Sequence, residues 1–180
     1  MSNREAKHDI RMKSLPASQE LLKLEASARK QGSGIEINSL NGLWKFVSVW
    51  KQGKEKKDFF SSLMLRFFSA SLELRQENGS HECLPLVIAN SVGIGLLKLE
   101  FTGRGELKGS QPLLPFFFDR ITVSFASRVL WSRSLDVPEE KERPFFALIS
   151  MAPNGEWLAA RGRGGGLALW LKGYINQAAH

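Results

Sequence analysis

The feature that most constrains the fold is a series of short segments in which apolar and polar residues alternate between turn residues. The clearest alternations cover residues 44–51, 72–75, 97–101 and 120–125. Further segments of strand character are Leu84–Asn90, Arg128–Arg133, Phe145–Met151, Trp157–Arg161 and Leu167–Lys172. Alternation with a period of two predicts half-buried strands, about nine in all. Because a parallel sheet would need helices between these strands, and the sequence has none there, the pattern favours antiparallel pairing.

A long run of one-sided antiparallel strands must hide its edges, and closure into a barrel removes them. We therefore predict a mainly β fold, a lipocalin-like antiparallel up-and-down β-barrel of about eight to ten strands, preceded by an N-terminal α-helix. The helix is predicted over 16–31, because Leu21, Leu24 and Ala28 have helical spacing and Gly32 follows as a stop signal. The interior of such a barrel is filled by side chains or holds one small ligand.

The chain has 180 residues, which predicts one domain. We expect a flexible basic segment over 1–13, a single domain over 14–175 and a short tail over 176–180. The formal charge is +7, and residues 1–60 hold 12 Lys and Arg against 7 Asp and Glu. A basic excess of this kind indicates an anionic partner, such as a lipid headgroup, a nucleic acid or an acidic protein.

The targeting and redox features of the sequence point to a reducing compartment. The first 13 residues are polar and basic, unlike a signal peptide, and no apolar run approaches the length that spans a bilayer. Any membrane role is therefore predicted to be peripheral. A single cysteine, Cys83, excludes an internal disulfide, and with only His8, His81 and His180 we expect no metal site.

Two motifs are predicted to close one end of the barrel. Gly42-Leu43-Trp44 stands at the start of the first strand, and Arg161 ends the last but one. In lipocalin-like barrels a tryptophan at this place is covered by an arginine from near the end of the chain, through a cation–π contact. We predict this closing role for Trp44 and Arg161, together with Gly162 and Gly165 of the following glycine turn.

The aromatic residues on the alternating strands are the candidate ligand contacts. Phe46, Phe101, Phe125, Trp157 and Trp170 are predicted to line the barrel interior. The stretch Pro112–Phe118 is predicted to be a loop, because two prolines interrupt strand pairing. It either folds over one barrel end or forms an apolar lip at a membrane or ligand entrance. The predicted membrane contacts are Leu113, Leu114, Phe116 and Phe117.

The sequence offers little for catalysis, so we predict that the protein is not an enzyme and uses no cofactor. No histidine lies in a predicted strand, Cys83 is typical of a small apolar filler, and Glu139-Glu140 belong to a charged, solvated loop. The run Arg161–Gly166 lacks the Lys-Ser/Thr ending and the helix of a phosphate loop, and it lacks the aromatics of RNA-binding repeats. Nucleic-acid binding is therefore not expected.

Three groups of residues, taken in order, carry a resemblance to a known family. They are Leu40–Phe46 after a leucine-rich helix, Ile88–Phe101 with Arg120–Phe125, and Trp157-Leu158 with Arg161–Gly165 before an apolar strand. They are similar to the Leu-x-Gly-x-Trp start, the Asn-x-Val element with its Arg-Ile-x-Val-x-Phe strand, and the Arg-Gly-Asn closing motif of the plastid lipid-associated proteins, or fibrillins (plastoglobulins). The chain departs from that pattern at Phe46–Trp50, at Arg163 where asparagine is usual, and before its last arginine, where the usual tyrosine and acidic residues are missing.

The resemblance implies a cyanobacterial-type member that works in the cytoplasm, beside thylakoid membranes or lipid globules. It implies non-enzymatic binding of a small hydrophobic molecule, an isoprenoid quinone, a carotenoid or an acyl lipid. Two alternatives stay open. One is a chromophore-handling barrel like the phycobilin lyases. The other is an interaction module whose barrel is filled by its own side chains and which acts through the basic N-terminal segment.

Overall fold

The computed structural model describes residues 15–50, 71–77 and 86–173 of the chain. Helix α1 (Ser18–Gln31) and the single turn α2 (Ile37–Leu40) precede nine strands. The strands are β1 Gly42–Trp50, β2 Ser71–Gln76, β3 Leu86–Ile94, β4 Leu97–Gly105, β5 Leu113–Phe125, β6 Arg128–Ser134, β7 Phe145–Met151, β8 Trp157–Gly162 and β9 Leu167–Gly173. A 3₁₀ turn (Glu140–Glu142) lies between β6 and β7. The prediction of a mainly β chain behind a helix is confirmed.

All nine strands belong to one antiparallel sheet that closes on itself. Eight of them form a ring in the order β1-β2-β3-β4-β5-β7-β8-β9, and β9 returns to β1 from Leu43↔Gly173 to Trp50↔Leu167. Strand β6 pairs with β5 outside this ring. The predicted closed, barrel-like sheet is therefore confirmed, with one strand standing outside the ring.

Strand β5 divides the sheet into two regions, because it changes partners along its length. Residues Leu113–Pro115 pair with β7, whereas residues 120–125 pair with β6 on the same side. The sheet therefore rises beyond the ring on one side only, and we call residues 91–101 and 120–134 the extension. The backbones of β4 and β5 approach closely at their register shift, and this approach requires Gly103, where an added Cβ would lie 1.9 Å from the Phe117 carbonyl oxygen.

The interior of the ring is packed with apolar side chains, and we call this part the base. Its largest fully buried members are Trp44, Phe116 and Trp170, each no more than 1% exposed. Phe146 stacks on Phe116 with ring centroids 5.2 Å apart and meets Trp170 edge to face at 5.3 Å. Ile35 and Leu40, from the segment before β1, join this cluster. The base therefore has a dense core of its own.

Helix α1 covers the outside of strands β7, β8 and β9. Leu21 of the helix is completely buried in a second cluster. The sheet residues of that cluster are Ile149, Ala159, Leu167 and Leu169, with Trp50 and Trp157 packed at its border. Strand β9 is thus buried on both faces, which explains why 167–171 reads as a continuous apolar run instead of alternating.

Two local expectations were wrong. The alternation over 44–51 predicts Trp44, Phe46, Ser48 and Trp50 on one face. A bulge between Phe46 and Ser48 instead turns Val49 inward and Trp50 outward. A single extra residue exchanges the two faces of a strand. The stretch Pro112–Phe118 was expected to be a loop, but from Leu113 it forms the start of β5. Pro115 is tolerated there because it is the last residue paired with β7 and lies one residue before the regular pairing with β4 begins at Phe116.

Candidate functional site

A continuous path of aromatic rings crosses the interior and leads out of the base. It runs through Phe46, Trp170, Phe146, Phe116, Phe118 and Phe101. Successive ring centroids lie between 5.2 Å and 6.3 Å apart. The extension projects from one end of the ring, which we call the upper end. Rings in the base are fully buried, whereas Phe46, Phe118 and Phe101 toward the upper end are only partly buried. The inner face therefore changes from a packed core to a surface that can accept an apolar molecule.

Asn90 is a fully buried polar group on this inner face. It lies directly opposite Leu72 of β2 and Phe101 of β4, and it is 1% exposed. Neither its Nδ2 nor its Oδ1 has a hydrogen-bond partner among the residues that the structure describes. A buried amide left unpaired costs about 1–3 kcal/mol, so such a group in a folded protein calls for an explanation.

The five predicted ligand contacts separate into three groups. Phe46, Phe101 and Trp170 lie on the inner face, where they were expected. Phe125 lies on the same face but at the far end of the extension, where it is 49% exposed. Trp157 points away from the interior and packs at the border of the helix-covered cluster, so its predicted role was wrong.

Sequence reasoning missed Phe116, Phe118, Phe146 and Asn90 as inner-face residues. Phe116 and Phe118 were missed because two prolines had been taken as evidence for a loop. A signal for Asn90 was present in the sequence, since Leu86, Ile88 and Asn90 alternate on one face of a strand candidate. An asparagine at an otherwise apolar inward position indicates a specific hydrogen-bonding role.

Trp44 lies at the lower end of the base, but its contacts differ from the predicted ones. Its indole Nε1 donates a hydrogen bond to the Leu40 carbonyl oxygen at 2.7 Å. The Lys172 ammonium stands 5.2 Å from the centre of the indole ring, a cation–π distance. Lysine thus takes the place that was predicted for arginine, and it does so from the strand that pairs directly with Trp44.

The predicted contact between Trp44 and Arg161 was wrong, because the two residues lie at opposite ends and on opposite faces of the sheet. Arg161 pairs with Leu167, which in turn pairs with Trp50 at the upper end of β1. Its guanidinium points outward to helix α1, where Nε donates to Glu25 Oε1 at 2.5 Å and Nη2 donates to Oε2. An outward direction follows from the alternation with Ala160, which belongs to the inner cluster.

Glu25 and Arg161 fasten helix α1 to the sheet. Both side chains are about one-tenth exposed, and Arg29 adds a second hydrogen bond to Glu25 at 2.8 Å. The Arg161 hydrogen bond is the main reason that the pKa of Glu25 lies below its ordinary value. Arg161 also donates Nη1 to the Gly165 carbonyl at 2.6 Å, so it orders the turn that contains Gly162 and Gly165.

A groove of about 530 Å³ lies outside the ring between helix α1 and strands β5, β7 and β8. Three arginines line it, Arg29, Arg161 and Arg163, together with Glu25. The Arg161 guanidinium donates hydrogen bonds to Glu25 and to the Gly165 carbonyl, and Arg163 donates Nη1 to the Arg143 carbonyl at 2.9 Å. Arg161, Arg29 and Glu25 therefore hold the helix, Arg163 is engaged with the backbone before β7, and the inner face is the stronger candidate site.

The four predicted membrane contacts at the start of β5 are mostly covered. Leu114 and Phe116 are each 1% exposed and belong to the inner cluster, so they do not contact a membrane in this fold. The Phe117 ring lies under the Arg143 guanidinium at 4.7 Å. Leu113 keeps an exposure of 42% beside the outer groove.

The described residues contain no group of three or more His, Cys, Asp or Glu side chains placed to hold a metal ion. His8, His81, Cys83 and His180 lie outside the described residues, as do the segments 1–13 and 176–180. In the predicted charged loop, Glu139 is exposed and pairs with Lys141, and Glu140 is exposed and pairs with Lys108. No helix among the described residues is both long and apolar enough to cross a bilayer.

Comparison of the chain with models of known protein families, with curated proteins and with solved structures found no match. The resemblance to the fibrillins therefore remains a prediction from the quoted motifs.

Proposed function

We propose that this protein binds a small hydrophobic molecule on the upper inner face of its closed sheet, without catalysing a reaction. The observation that carries the proposal is Asn90, a fully buried amide without a partner among the described residues, set in an aromatic surface. Binding sites for apolar molecules combine such a surface with few polar groups that fix the orientation of the ligand.

The chemistry of Asn90 narrows the class of ligand. Its Nδ2 donates and its Oδ1 accepts, so the side chain matches a carbonyl or a hydroxyl oxygen. Among the expected ligands, an isoprenoid quinone or an acyl lipid offers such an oxygen, whereas a pure hydrocarbon carotenoid does not. We therefore favour a quinone or an acyl lipid, held with its oxygen at Asn90 and its chain along Phe101 and Phe118.

The place of action is part of the proposal. The motif resemblance to the fibrillins and the formal charge of +7 support work in the cytoplasm, at the surface of a thylakoid membrane or a lipid globule. A hydrophobic ligand is concentrated in such membranes, so a peripheral carrier would collect it there.

The first experiment identifies the ligand. Protein purified from a photosynthetic host is examined by native mass spectrometry, organic extraction and an absorption spectrum. We expect a stoichiometric quinone or acyl lipid. A clean apoprotein mass with nothing extractable would contradict the proposal.

The second experiment tests Asn90 itself, by titrating the apoprotein with decylubiquinone and following tryptophan quenching. Asn90→Leu removes an unpaired polar group, so we expect a higher unfolding temperature together with a roughly tenfold weaker quinone affinity. Asn38→Leu, the same change at an exposed asparagine, serves as the control and leaves both values unchanged. A stabilised variant with undiminished affinity would show that Asn90 does not contact the ligand.

A second candidate function is an interaction module with a filled interior that acts through the basic segment 1–13. The dense packing of Trp44, Phe116, Phe146 and Trp170 favours it, because the base holds side chains instead of a ligand. The same mass spectrum separates the two candidates, since the module would be free of ligand in every preparation.

A further inference from the structure

The far end of the extension carries an exposed apolar cluster, which we call the apolar tip. It is built from two neighbouring turns, Gly95-Leu96 between β3 and β4 and Ala126-Ser127 between β5 and β6. The Ala126 N–H donates to the Leu96 carbonyl at 2.9 Å, so a backbone hydrogen bond joins the two turns. The apolar members are Leu96, Leu97, Phe125, Val129, Leu130 and Trp131, between 44% and 65% exposed.

Exposure of this kind is unusual for side chains of this size. Single exposed leucines are ordinary on protein surfaces, but contiguous apolar patches mark interaction sites. The other large apolar side chains with comparable exposure, Leu22, Leu113 and Val137, are scattered over the described surface. The six at the tip are neighbours in the sheet, with Leu97 opposite Phe125 and Val123 opposite Trp131. The tip therefore has the composition of a contact surface.

The charges around the tip indicate what it contacts. The extension carries four basic residues, Lys98, Arg120, Arg128 and Arg133, against one acidic residue, Glu100. Glu100 is paired with Lys98, which leaves the arginines beside the apolar side chains. Arg128 lies directly opposite Phe125. Apolar and aromatic side chains flanked by arginines are typical of segments that lie in the headgroup region of anionic membranes.

We propose that the apolar tip inserts into the interface of an anionic lipid bilayer. Phe125, Leu130 and Trp131 enter the boundary between headgroups and acyl chains, while Arg128 and Arg133 bind lipid phosphates. The inner face of the extension, with Leu99, Phe101 and Val123, then connects the bilayer to Asn90. This path rests on the proposed function, whereas insertion of the tip does not depend on it.

A second copy of the chain is the main competing partner, because β6 is an edge strand among the described residues and could pair with its counterpart in another copy. Two features disfavour pairing along this edge. Leu130 is an extra residue in a bulge, with Ser124 opposite Val129 and Val123 opposite Trp131. In antiparallel pairing Arg128 and Arg133, which stand near the two ends of the strand, would each approach the other arginine of the second copy. Lipid phosphates, in contrast, complement these charges.

The test is co-sedimentation of the full chain with phosphatidylcholine vesicles that contain phosphatidylglycerol. We expect binding that weakens with salt, a loss of at least about tenfold in Val129→Ser/Leu130→Ser, and about fivefold weaker binding in Arg128→Gln. Leu22→Ser, on helix α1 at a similar exposure of 47%, is the matched control and binds as the wild type does.

Three results would overturn the proposal. Vesicle binding that the tip variants leave unchanged would place the membrane contact elsewhere. A dimer that becomes monomeric in Val129→Ser/Leu130→Ser, seen by analytical ultracentrifugation, would assign the tip to a second copy. A markedly lower unfolding temperature of that variant would show that this chain itself covers the tip. Quinone titration without vesicles is independent, so failure of the proposed ligand leaves the vesicle result intact.

Discussion

The base and the extension present the same face of the same sheet, yet their aromatic side chains have different surroundings. Phe116 and Phe125 both lie on the inner side of β5, and a bulge between them keeps this facing despite their odd separation. Phe116 is 1% exposed and Phe125 is 49% exposed. What differs is the opposite wall, since β7, β8 and β9 face the base alone.

This difference shows that burial here is set by ring closure and not by the strand pattern. The same alternation produces a packed core where the ring is complete and an exposed apolar surface where it is not. The four predictions below follow from that contrast, starting with the largest expected effect.

The contrast predicts unequal costs for one substitution at two places on β5. Phe116→Ala removes a ring that packs between Phe146 and Phe118, and should lower the free energy of unfolding by about 3–5 kcal/mol. Phe125→Ala should lower it by less than about 1 kcal/mol, since half of its ring already meets solvent. Urea unfolding measures both. Equal costs would break the contrast and show that the extension is covered as well as the base.

The outside of the base should respond to acid through Glu25. Because Arg161 holds the folded-state pKa of Glu25 below its ordinary value, the pair stabilises the fold at pH values above about 4.5. This contribution is lost as the pH falls through the lowered pKa, so Glu25→Gln should show a shallower loss of stability below pH 4.5.

Breaking the same pair at neutral pH should cost about 3 kcal/mol in Arg161→Met, because a largely buried carboxylate keeps only Arg29. Arg163→Met, two residues further on and exposed, is the control and should stay within about 0.5 kcal/mol. Thermal unfolding across pH measures both effects. Equal losses in the two variants would mean that Arg161 does not fasten the helix.

The smallest effect is expected at the turn of the extension. Ala126 and Ser127 have φ values of 46° and 68°, a conformation that asparagine and glycine adopt more readily. Ala126→Asn/Ser127→Gly should therefore raise the free energy of unfolding by about 1 kcal/mol without altering the base. Differential scanning calorimetry measures the gain, and Gly95→Ala, at a φ of 61°, should lose a similar amount. If neither variant changes stability, the turns unfold independently of the ring.

Strand alternation was enough to predict the mainly β fold class, the approximate number of strands and the closure of the sheet. It succeeded because residues such as Leu72, Leu74 and Ile88 face one interior along the whole ring. Phe46, Phe101 and Trp170 were placed correctly for the same reason. The helix over 18–31 followed from its own spacing and its glycine stop.

The sequence failed where a single residue changes the register or where two elements far apart meet. The bulge after Phe46 reverses Trp50, and nothing in the residue types marks it. Arg161 was assigned to Trp44 from the pattern of lipocalin-like barrels, and its partner Glu25 was missed because it lies 136 positions away on a helix. Asn90 was overlooked because a strand pattern shows only that a residue is polar. What makes Asn90 a candidate ligand contact is that its buried amide has no hydrogen-bond partner among the described residues, which only the structure shows.

The closing contact between β1 and β9 has a consequence for the order of folding. Strands β2 to β5 pair with near neighbours in the chain, but β1 must wait for residues 167–173 before the ring is complete. Helix α1 meets the same delay, because Leu21 packs on Ile149, Ala159 and Leu167. During synthesis helix α1 and the edge of β1 that pairs with β9 therefore leave the ribosome before residues 167–173 have been made. The final strand converts an open meander into a closed ring and completes the surface on which helix α1 packs.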